Sequence, residues 1–259
     1  MPINFHDESN RHTYATRTAD PIWLKTIASL VQPHGKTVLD IGCGGGIYTR
    51  AWASLDADYV IGIDSSETML QTAAEISSDY DNICYQLGHA AATRQKNSSA
   101  EIVFERALIH HFTDLQPCIT EAYRLLKSQG IYLIQDRTME DVQLPGSENH
   151  IRGYIFEAFP KLLNIEKSRR HSVEEVNHHL LQAGFKNLST LTFWEPRQTH
   201  PTFSHLAEDI RKRTGRSILH ELTNAEVDKL IDFITAKISK RGEITEKDRW
   251  TLWYAQKPT

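Results

Sequence analysis

The chain has 259 residues, of which 40% are hydrophobic and 24% charged, and its formal net charge is −4. This composition is typical of a globular domain, and a pI of about 6.3 argues against a broad basic surface for nucleic acid. No apolar run approaches the ~18 residues that a membrane span needs, the N-terminus lacks an apolar signal region, and three cysteines are too few for a disulfide framework. We therefore expect a cytoplasmic protein with buried, reduced thiols and no membrane partner.

Helices and short buried strands alternate along the first half of the chain. Asp20-Pro21 predicts a helix start, because an aspartate N-cap precedes a proline at the first helical position, and apolar residues then recur at helical spacing up to Val31. Strands are predicted at 37–41, 59–63, 83–87, 101–104 and 130–135, with further helices at 48–54, at 65–76 and before the fifth strand. This alternation is typical of a parallel sheet that helices cover on both faces.

The pattern loosens after residue 136. Ser172 and Thr223 each begin a capping-box match that predicts a helix, and two more strands are predicted at 188–194 and 249–255. The stretches 137–170 and 197–245 look like insertions into the α/β core. We expect one domain over 1–259, with a seven-stranded, mostly parallel sheet and with the two insertions forming a helical substrate cap.

A glycine-rich turn follows the first predicted strand. Residues 40–46 follow the pattern D-x-G-x-G-x-G, and glycine permits positive φ and a close approach of a ligand to the backbone. Asp64 ends the second strand 18 residues after Gly46, where an acid that holds ribose hydroxyls is expected. The dinucleotide pattern G-x-G-x-x-G fails, because isoleucine and threonine occupy positions 47 and 49. The turn predicts a nucleoside site, and a turn formed for packing alone is the alternative.

With that spacing, the sequence resembles the class I S-adenosylmethionine-dependent methyltransferases. VIGIDSSETMLQTA looks like the second strand, ribose acid and following helix of that family, and EIVFERALIHHFTDL with CITEAYRLLKSQGIYLIQD resembles its fourth strand, helix and fifth strand. Tyr14 to Arg17 is similar to an N-terminal lid segment of small-molecule members, which places a lid at 1–20. The resemblance covers roughly 14–136. It implies a Rossmann-like fold, S-adenosylmethionine as cofactor and S-adenosylhomocysteine as product.

The resemblance also implies where the cofactor is held. Asp64 takes the ribose, and Asp40 either orients the loop, meets the amino group of the methionine portion, or only supports the turn. Gly88-His89-Ala90 aligns with the adenine-contact loop, where the family commonly has an acid and this chain has His89. The predicted cofactor contacts are Tyr14, Arg17, Asp40, Gly42, Cys43, Gly44, Asp64, Ser65, Met69, His89, Ala90 and Arg106.

Methyl transfer from a sulfonium is an in-line displacement, to which positioning can contribute ~7–11 kcal/mol and a general base ~10²–10⁴-fold. His110 and His111, just past the fourth strand, are the base candidates because histidine titrates near neutrality; one of them could instead cap or pack. Glu105 is a further catalytic candidate at the same strand end; with Arg106 it could bind a polar acceptor or form a surface pair. We expect no metal, because adjacent histidines on extended backbone point apart.

The acceptor is expected to meet the insertions. Tyr154, Phe156, Phe159 and Trp194 are predicted to line an apolar pocket, with packing as the alternative. We predict methyl transfer from S-adenosylmethionine to a small organic acceptor by a monomer or homodimer, with no nucleic-acid partner. One alternative is an RNA or protein acceptor, and the basic run at 211–216 is its only support. Such a run is usually a solvated face. The other alternative is a nucleoside-binding domain without transferase activity.

Overall fold

The structure, a computed structural model, describes residues 18–239 and 242–259. The chain divides into two units. The sheet unit comprises the described residues up to Asp136 together with His171–Thr192 and Thr251–Thr259, and the insertion unit comprises Arg137–Arg170 and Phe193–Trp250. The predicted insertion at 137–170 is one segment of the insertion unit. The other segment extends beyond 197–245 on both sides, because the last two strands continue into it.

A seven-stranded sheet organises the fold, with the strand order β3-β2-β1-β4-β5-β7-β6. The strands are β1 Thr37–Ile41, β2 Tyr59–Asp64, β3 Ile83–Leu87, β4 Ala100–Arg106, β5 Leu126–Asp136, β6 Lys186–His200 and β7 Ile244–Gln256. The first five strands pair in parallel, and β7 is antiparallel to β5. The predicted mostly parallel sheet is therefore confirmed. Its strand order reverses between β1 and β4, and ligands bind at such switch points.

Helices occupy both units. The sheet unit contains α1 Pro21–Leu30, α2 Ile47–Ser54, α3 Glu67–Ile76, α4 Gln116–Leu125 and α8 Val173–Gln182, and the insertion unit contains α5 Met139–Val142, α6 Ile151–Ala158, α7 Leu162–Lys167, α9 Phe203–Arg211 and α10 Asn224–Lys237. Asp20 caps α1 as predicted, since its Oδ1 accepts from Ile22 N at 2.8 Å. Among the helices within 18–239, none combines the length and the apolar character that crossing a membrane requires.

Two predicted helix starts differ in detail. Helix α3 begins at Glu67 rather than at residue 65, because Ser66 is its N-cap and accepts from Met69 N at 3.3 Å. At α8, Ser172 Oγ accepts from Glu175 N at 3.1 Å, as a capping box requires. The Glu175 carboxylate instead lies 2.9 Å from His171 Nδ1, so the reciprocal bond of the predicted box is replaced by an ion-pair geometry.

Each unit has its own apolar core. In the sheet unit, the strands pack against α4 and α8 on one face. An aromatic cluster of Trp23, Trp52 and Phe104 packs with ring centroids 5.5–5.6 Å apart. Trp23 Nε1 donates to Gln135 Oε1 at 2.9 Å, which joins α1 to β5. The insertion unit buries the apolar faces of α6, α9 and α10 together, so each unit removes its own apolar surface from water.

Candidate active site

The glycine loop between β1 and α2 is fastened to the end of β2. Gly42 N donates to Ile63 O at 2.7 Å, and Gly44 N donates to Asp64 Oδ2 at 2.8 Å. Asp64 Oδ1 accepts from Ser66 N at 2.9 Å. Because a carboxylate oxygen can accept two hydrogen bonds, Asp64 is held in place by the backbone and keeps acceptor capacity for a pair of hydroxyls.

Two glycines of this loop are needed for different reasons. Both have positive φ, +73° at Gly42 and +51° at Gly44, a region that side chains other than glycine rarely adopt. A Cβ on Gly42 would lie 2.8 Å from Leu108 Cδ1, so packing also excludes a side chain there. A Cβ on Gly44 would meet Met69 Cε at 3.5 Å, an ordinary contact. Backbone conformation, rather than crowding by the protein, therefore favours glycine at position 44.

Asp40 lies beneath the loop. Its side chain is buried and accepts from Thr49 Oγ1 at 2.6 Å. Burial raises the pKa of Asp40 to about 7, against the hydrogen bond from Thr49, and the charge of Asp64 raises it further. The side chain thus braces the first turn of α2, which is the supporting role among the three proposed for it.

Arg106 at the end of β4 lies over an aromatic face. Its Cζ is 4.2 Å from the centroid of the Tyr48 ring, which is within the range of a cation–π interaction. Tyr48 in turn packs edge-on against Trp23, with centroids 4.9 Å apart. The sequence predicted Arg106 as a cofactor contact but assigned Tyr48 only to the start of a helix, so this pairing was missed.

The predicted adenine loop places its histidine at the surface. His89 is exposed, and its Nδ1 accepts from Ala91 N at 3.2 Å, while its ring lies edge-on to Phe112 at 5.6 Å. Ala90 is buried. The side chain of His89 thus organises its own loop.

The other predicted cofactor contacts differ in how far they are exposed. Met69 is buried in the first turn of α3, and Ser65 is exposed next to Asp64. Cys43 is half-buried, and burial raises the pKa of its thiol well above its usual range. Tyr14 and Arg17 lie outside the described residues.

A histidine and an aspartate meet at the ends of β4 and β5. His110 Nδ1 lies 2.8 Å from Asp136 Oδ2, and the side chains are 11% and 2% exposed. The chain reaches this position through Ala107, whose φ of +50° turns it out of β4, and through the 3₁₀ turn Ile109–His111. Because a carboxylate accepts, the proton of neutral His110 is on Nδ1. Proton exchange would then occur at Nε2.

Asp136 is the functional candidate that the sequence analysis missed. The fifth strand was predicted to end near it, and it stands at the carboxyl end of a parallel strand beside the strand that leads to His110. Such ends share one edge of a sheet, so this placement was the available signal.

His110 and His111 do not point apart as expected. Their ring centroids are 4.2 Å apart with an interplanar angle of 36°. The expectation was wrong because the two residues lie in a 3₁₀ turn rather than on extended backbone. His111 is exposed, whereas His110 is half-buried.

Glu105 lies inside the sheet unit. It is 0% exposed, and burial, together with the charge of Asp136, raises its pKa to about 8. The interpretation of Glu105 and Arg106 as a surface pair is therefore wrong, since neighbouring strand residues point to opposite faces. The predicted catalytic role of Glu105 would require a path from its buried carboxyl group to the substrate.

The predicted acceptor-binding aromatic residues are mostly core residues of the insertion unit. Tyr154 and Phe156 are 6% and 5% exposed and belong to its apolar core, and Phe159 packs against that core. Trp194 differs, because it is 40% exposed and lies edge-on to the ring of His150 at 5.1 Å. The alternative interpretation as packing thus describes the first three residues.

The basic run at 211–216 is not an open cationic surface. Its members have partners: Arg211 pairs with Asp228, Lys212 with Glu208, Arg213 donates to the carbonyls of Leu219 and Leu222, and Arg216 pairs with Asp209 and Glu246. These contacts remove the observation that favoured an RNA acceptor.

Among the residues that the structure describes, one side-chain group has the spacing of a metal site: His200, Asp209 and Glu246. Two arginines occupy the same place. Arg197 Nη1 lies 3.2 Å from Asp209 and 3.0 Å from Glu246, and Arg216 lies 2.5 and 2.6 Å from the same two carboxylates. Since two guanidinium groups neutralise two carboxylates, this group is a buried ion-pair network, which we call the four-charge network.

The model of a methyltransferase domain family matches residues 33–189 of the chain. The chain belongs to this family. The matched segment of the methyltransferase contains the glycine loop, Asp64, His110 and Asp136, and the resemblance to class I members is confirmed.

Two curated relatives match different shares of the methyltransferase. Ubiquinone biosynthesis O-methyltransferase of Bartonella quintana is 31% identical over 107 residues, or 41% of this chain and 43% of the relative. Phosphoethanolamine N-methyltransferase 2 of Caenorhabditis elegans is 28% identical over 231 residues, or 86% of this chain and 48% of the relative. The chain therefore spans just under half the length of these relatives.

A solved structure shares the fold. Phosphoethanolamine N-methyltransferase 2 of Haemonchus contortus, in complex with phosphomonomethylethanolamine and S-adenosylhomocysteine, superposes with a TM-score of 0.63 at 20% identity. The likeness covers 99% of this chain and 61% of that one.

Proposed function

We propose that this methyltransferase transfers a methyl group from S-adenosylmethionine to a small organic acceptor and releases S-adenosylhomocysteine. The observation that carries the proposal is the fastening of the glycine loop to Asp64 through Gly44 N, beside the switch point of the sheet. The family membership and the small-molecule relatives support it.

The residues of the loop fit the cofactor. Asp64 has acceptor capacity for the ribose hydroxyls, and Gly44 supplies a surface without a side chain for the methionine portion. The cofactor supplies an electrophilic methyl group on a sulfonium. The chain's own task is to hold the acceptor atom in line with that methyl group, since alignment can supply ~7–11 kcal/mol of the barrier.

His110 is the general base of the proposed reaction. His110 Nε2 would take the proton that the acceptor atom loses when it is methylated. Asp136 stabilises the resulting imidazolium through Nδ1. The two curated relatives are named for O- and N-methylation, and hydroxyl and amine acceptors both carry a proton that must leave.

Three further points stay predictions: acceptor recognition by residues 137–170 and 197–245, the monomeric or homodimeric state, and the cytoplasmic location.

The test is calorimetric titration with S-adenosylmethionine and S-adenosylhomocysteine. We expect both to bind with micromolar affinity, and Asp64→Ala to weaken binding at least about tenfold, because charged hydrogen bonds contribute ~1.5–3 kcal/mol each. Asp81→Ala, at an exposed aspartate, is the matched control and should bind normally. Failure of the wild-type protein to bind either nucleoside would overturn the proposal. Unchanged affinity in Asp64→Ala would overturn the ribose assignment.

A further inference from the structure

Several buried polar side chains of the insertion unit have atoms without a hydrogen-bond partner among the described residues, and three of these side chains are neighbours. His150, Arg152 and Asp248, which we call the polar triad, are 2%, 7% and 3% exposed. Within the described part of the chain, His150 Nε2, Arg152 Nε and Asp248 Oδ1 have no hydrogen-bond partner. A buried polar atom without a partner loses its hydration and gains nothing in return. Three such atoms in one place therefore need an explanation.

The three residues of the triad are neighbours. Helix α6 begins next to β7, because Lys247 N donates to Asn149 O at 2.6 Å. His150 is the N-cap of α6 and Arg152 lies in its first turn, and Asp248 follows on β7. Asp248 and Arg152 both act on the pKa of His150, and they act on each other.

Two members of the triad are acceptors. His150 Nδ1 lies 3.0 Å from the carbonyl of Pro145, which can only accept, so Nδ1 carries the proton. Burial lowers the pKa of His150, so the ring is neutral and Nε2 presents a lone pair. Asp248 Oδ2 accepts from Arg137 Nη2 at 2.6 Å. The charges of Arg137 and Arg152 hold the pKa of Asp248 below its usual range despite burial, so Oδ1 is a carboxylate oxygen.

The third member, Arg152, has one ion-pair contact among the described residues, and the charge of Asp248 also acts on it. Arg152 Nη2 lies 3.5 Å from Glu166 Oε1, which is too long for a strong hydrogen bond. Glu166 is shared with Arg170 at 2.5 Å and with Arg169, so three guanidinium groups surround one carboxylate. Burial, together with the charge of Arg137, lowers the pKa of Arg152 to about 9. An anion beside Arg152 would supply a close counter-charge and a hydrogen-bond acceptor.

We propose that the polar triad binds a small zwitterion, a molecule that carries an amine and a carboxylate or phosphate. Its N–H groups donate to His150 Nε2 and Asp248 Oδ1, and its acidic group accepts from Arg152. The four-charge network shows the contrast, because there the two arginines and the two carboxylates neutralise one another within the protein. The proposal concerns binding alone and does not depend on the proposed methyl transfer.

The first test compares matched ligands on the full-length protein. Phosphoethanolamine and glycine are the zwitterionic probes, and ethanolamine, inorganic phosphate and acetate are their single-charge counterparts. Calorimetric titration is expected to show at least one zwitterion binding about tenfold or more tightly than either of its counterparts. The lack of binding by both zwitterions at millimolar concentration would overturn the proposal and leave ordered water as the occupant. Binding of the counterparts with equal affinity would also overturn it.

The second test changes the triad. Arg152→Gln retains a polar side chain of similar length but removes the charge, and we expect it to weaken the bound zwitterion at least about tenfold, the loss of one charged hydrogen bond. Arg211→Gln, at an exposed arginine of the same unit, should leave binding unchanged. A thermal midpoint and a far-UV circular dichroism spectrum near those of wild type verify that Arg152→Gln is folded. Equal zwitterion affinity in Arg152→Gln and wild type would overturn the site. If Arg152→Gln fails to fold, Asp248→Asn, which keeps the size of the side chain and removes its charge, decides in its place, because zwitterion binding by the wild-type protein alone would not distinguish the triad from an acceptor site. Equal zwitterion affinity in Asp248→Asn and wild type would overturn the site.

Discussion

Charged side chains serve different purposes in the two units. In the sheet unit, Asp64, His110 and Asp136 stand at or just beyond the carboxyl ends of strands, where they can meet a ligand. In the insertion unit, the four-charge network lies inside the unit and joins β6, α9, β7 and the segment before α10. The difference teaches that residue type alone does not mark a functional site. The position of a charge along its strand, and whether it is neutralised, decide its role.

If His110 and Asp136 of the sheet unit serve a ligand rather than the fold, replacing either of them should lower activity and leave the protein folded. We expect His110→Ala to lower kcat by ~10²–10⁴-fold, the usual contribution of a general base, while binding of S-adenosylhomocysteine and the thermal midpoint stay near wild type. His178→Ala, at an exposed histidine of α8, is the matched control. An unchanged kcat would remove His110 from the mechanism. Asp136→Asn should lower kcat less and shift its pH profile, because it acts through His110.

The insertion unit should show the opposite response. Glu246→Ala leaves Arg197 and Arg216 with one carboxylate between them, and breaking a buried pair in this way costs ~3–5 kcal/mol of unfolding free energy. Urea unfolding measures the loss. Asp228→Ala removes an exposed ion pair with Arg211 and should change stability little, since such pairs contribute little. Similar stability losses in the two variants would refute the assigned role of the network.

Glu105 provides a sharper test, because it is a fully buried acid near the end of β4. Its pKa is about 8 in the folded protein and 4.5 in the unfolded chain. The folded state therefore holds an extra proton between those values, and the contribution of Glu105 to stability falls as the pH rises from 4.5 to 8. The slope is at most ~1.4 kcal/mol per pH unit. In urea titrations at pH 5, 6.5 and 8, Glu105→Gln should lose this part of the pH dependence and keep the part due to Asp40, whose pKa burial also raises. An identical pH dependence in the variant would show that Glu105 ionises as it does in water.

The last prediction has the smallest expected effect on stability. It distinguishes backbone strain at Gly44 from contact between that glycine and a ligand. Gly44→Val and Gly35→Val both place a side chain at positive φ, +51° and +70°, and each should lose roughly 1–2 kcal/mol of stability. Gly35 has open space around it and lies outside the loop. We therefore expect only Gly44→Val to abolish binding of S-adenosylhomocysteine in calorimetry. Normal binding by Gly44→Val would reduce the glycine loop to a structural turn.

The sheet and the loop could be predicted because their signals are local. Thr37–Ile41 and Ile83–Leu87 are short apolar runs, and the glycine pattern lies within seven residues. The start of β7 was missed because its inward positions are filled by Glu246 and Asp248, whose burial depends on arginines far along the chain. A polar run read by itself predicts a loop, and only tertiary pairing makes it a strand.

The sequence predicted several residues of the candidate site but not their arrangement. His110 and Asp64 were identified from their places after strands. The partnership of His110 with Asp136 depends on Ala107, an alanine at φ +50° that no propensity indicates. Tyr154 and Phe156 were assigned to a pocket because aromatic residues fit either a core or a ligand, and the sequence does not say which neighbours surround them.

The fastening of Asp64 has a thermodynamic consequence. Its two carboxylate oxygens are already held by Gly44 N and Ser66 N, so the side chain has no rotational freedom left to lose when a nucleoside arrives. Ordering a mobile side chain at a binding site costs ~0.5–1.5 kcal/mol. If the cofactor's ribose binds Asp64 as proposed, its affinity should be higher than the same two hydroxyl contacts would give with a freely rotating aspartate, because the side chain was ordered during folding.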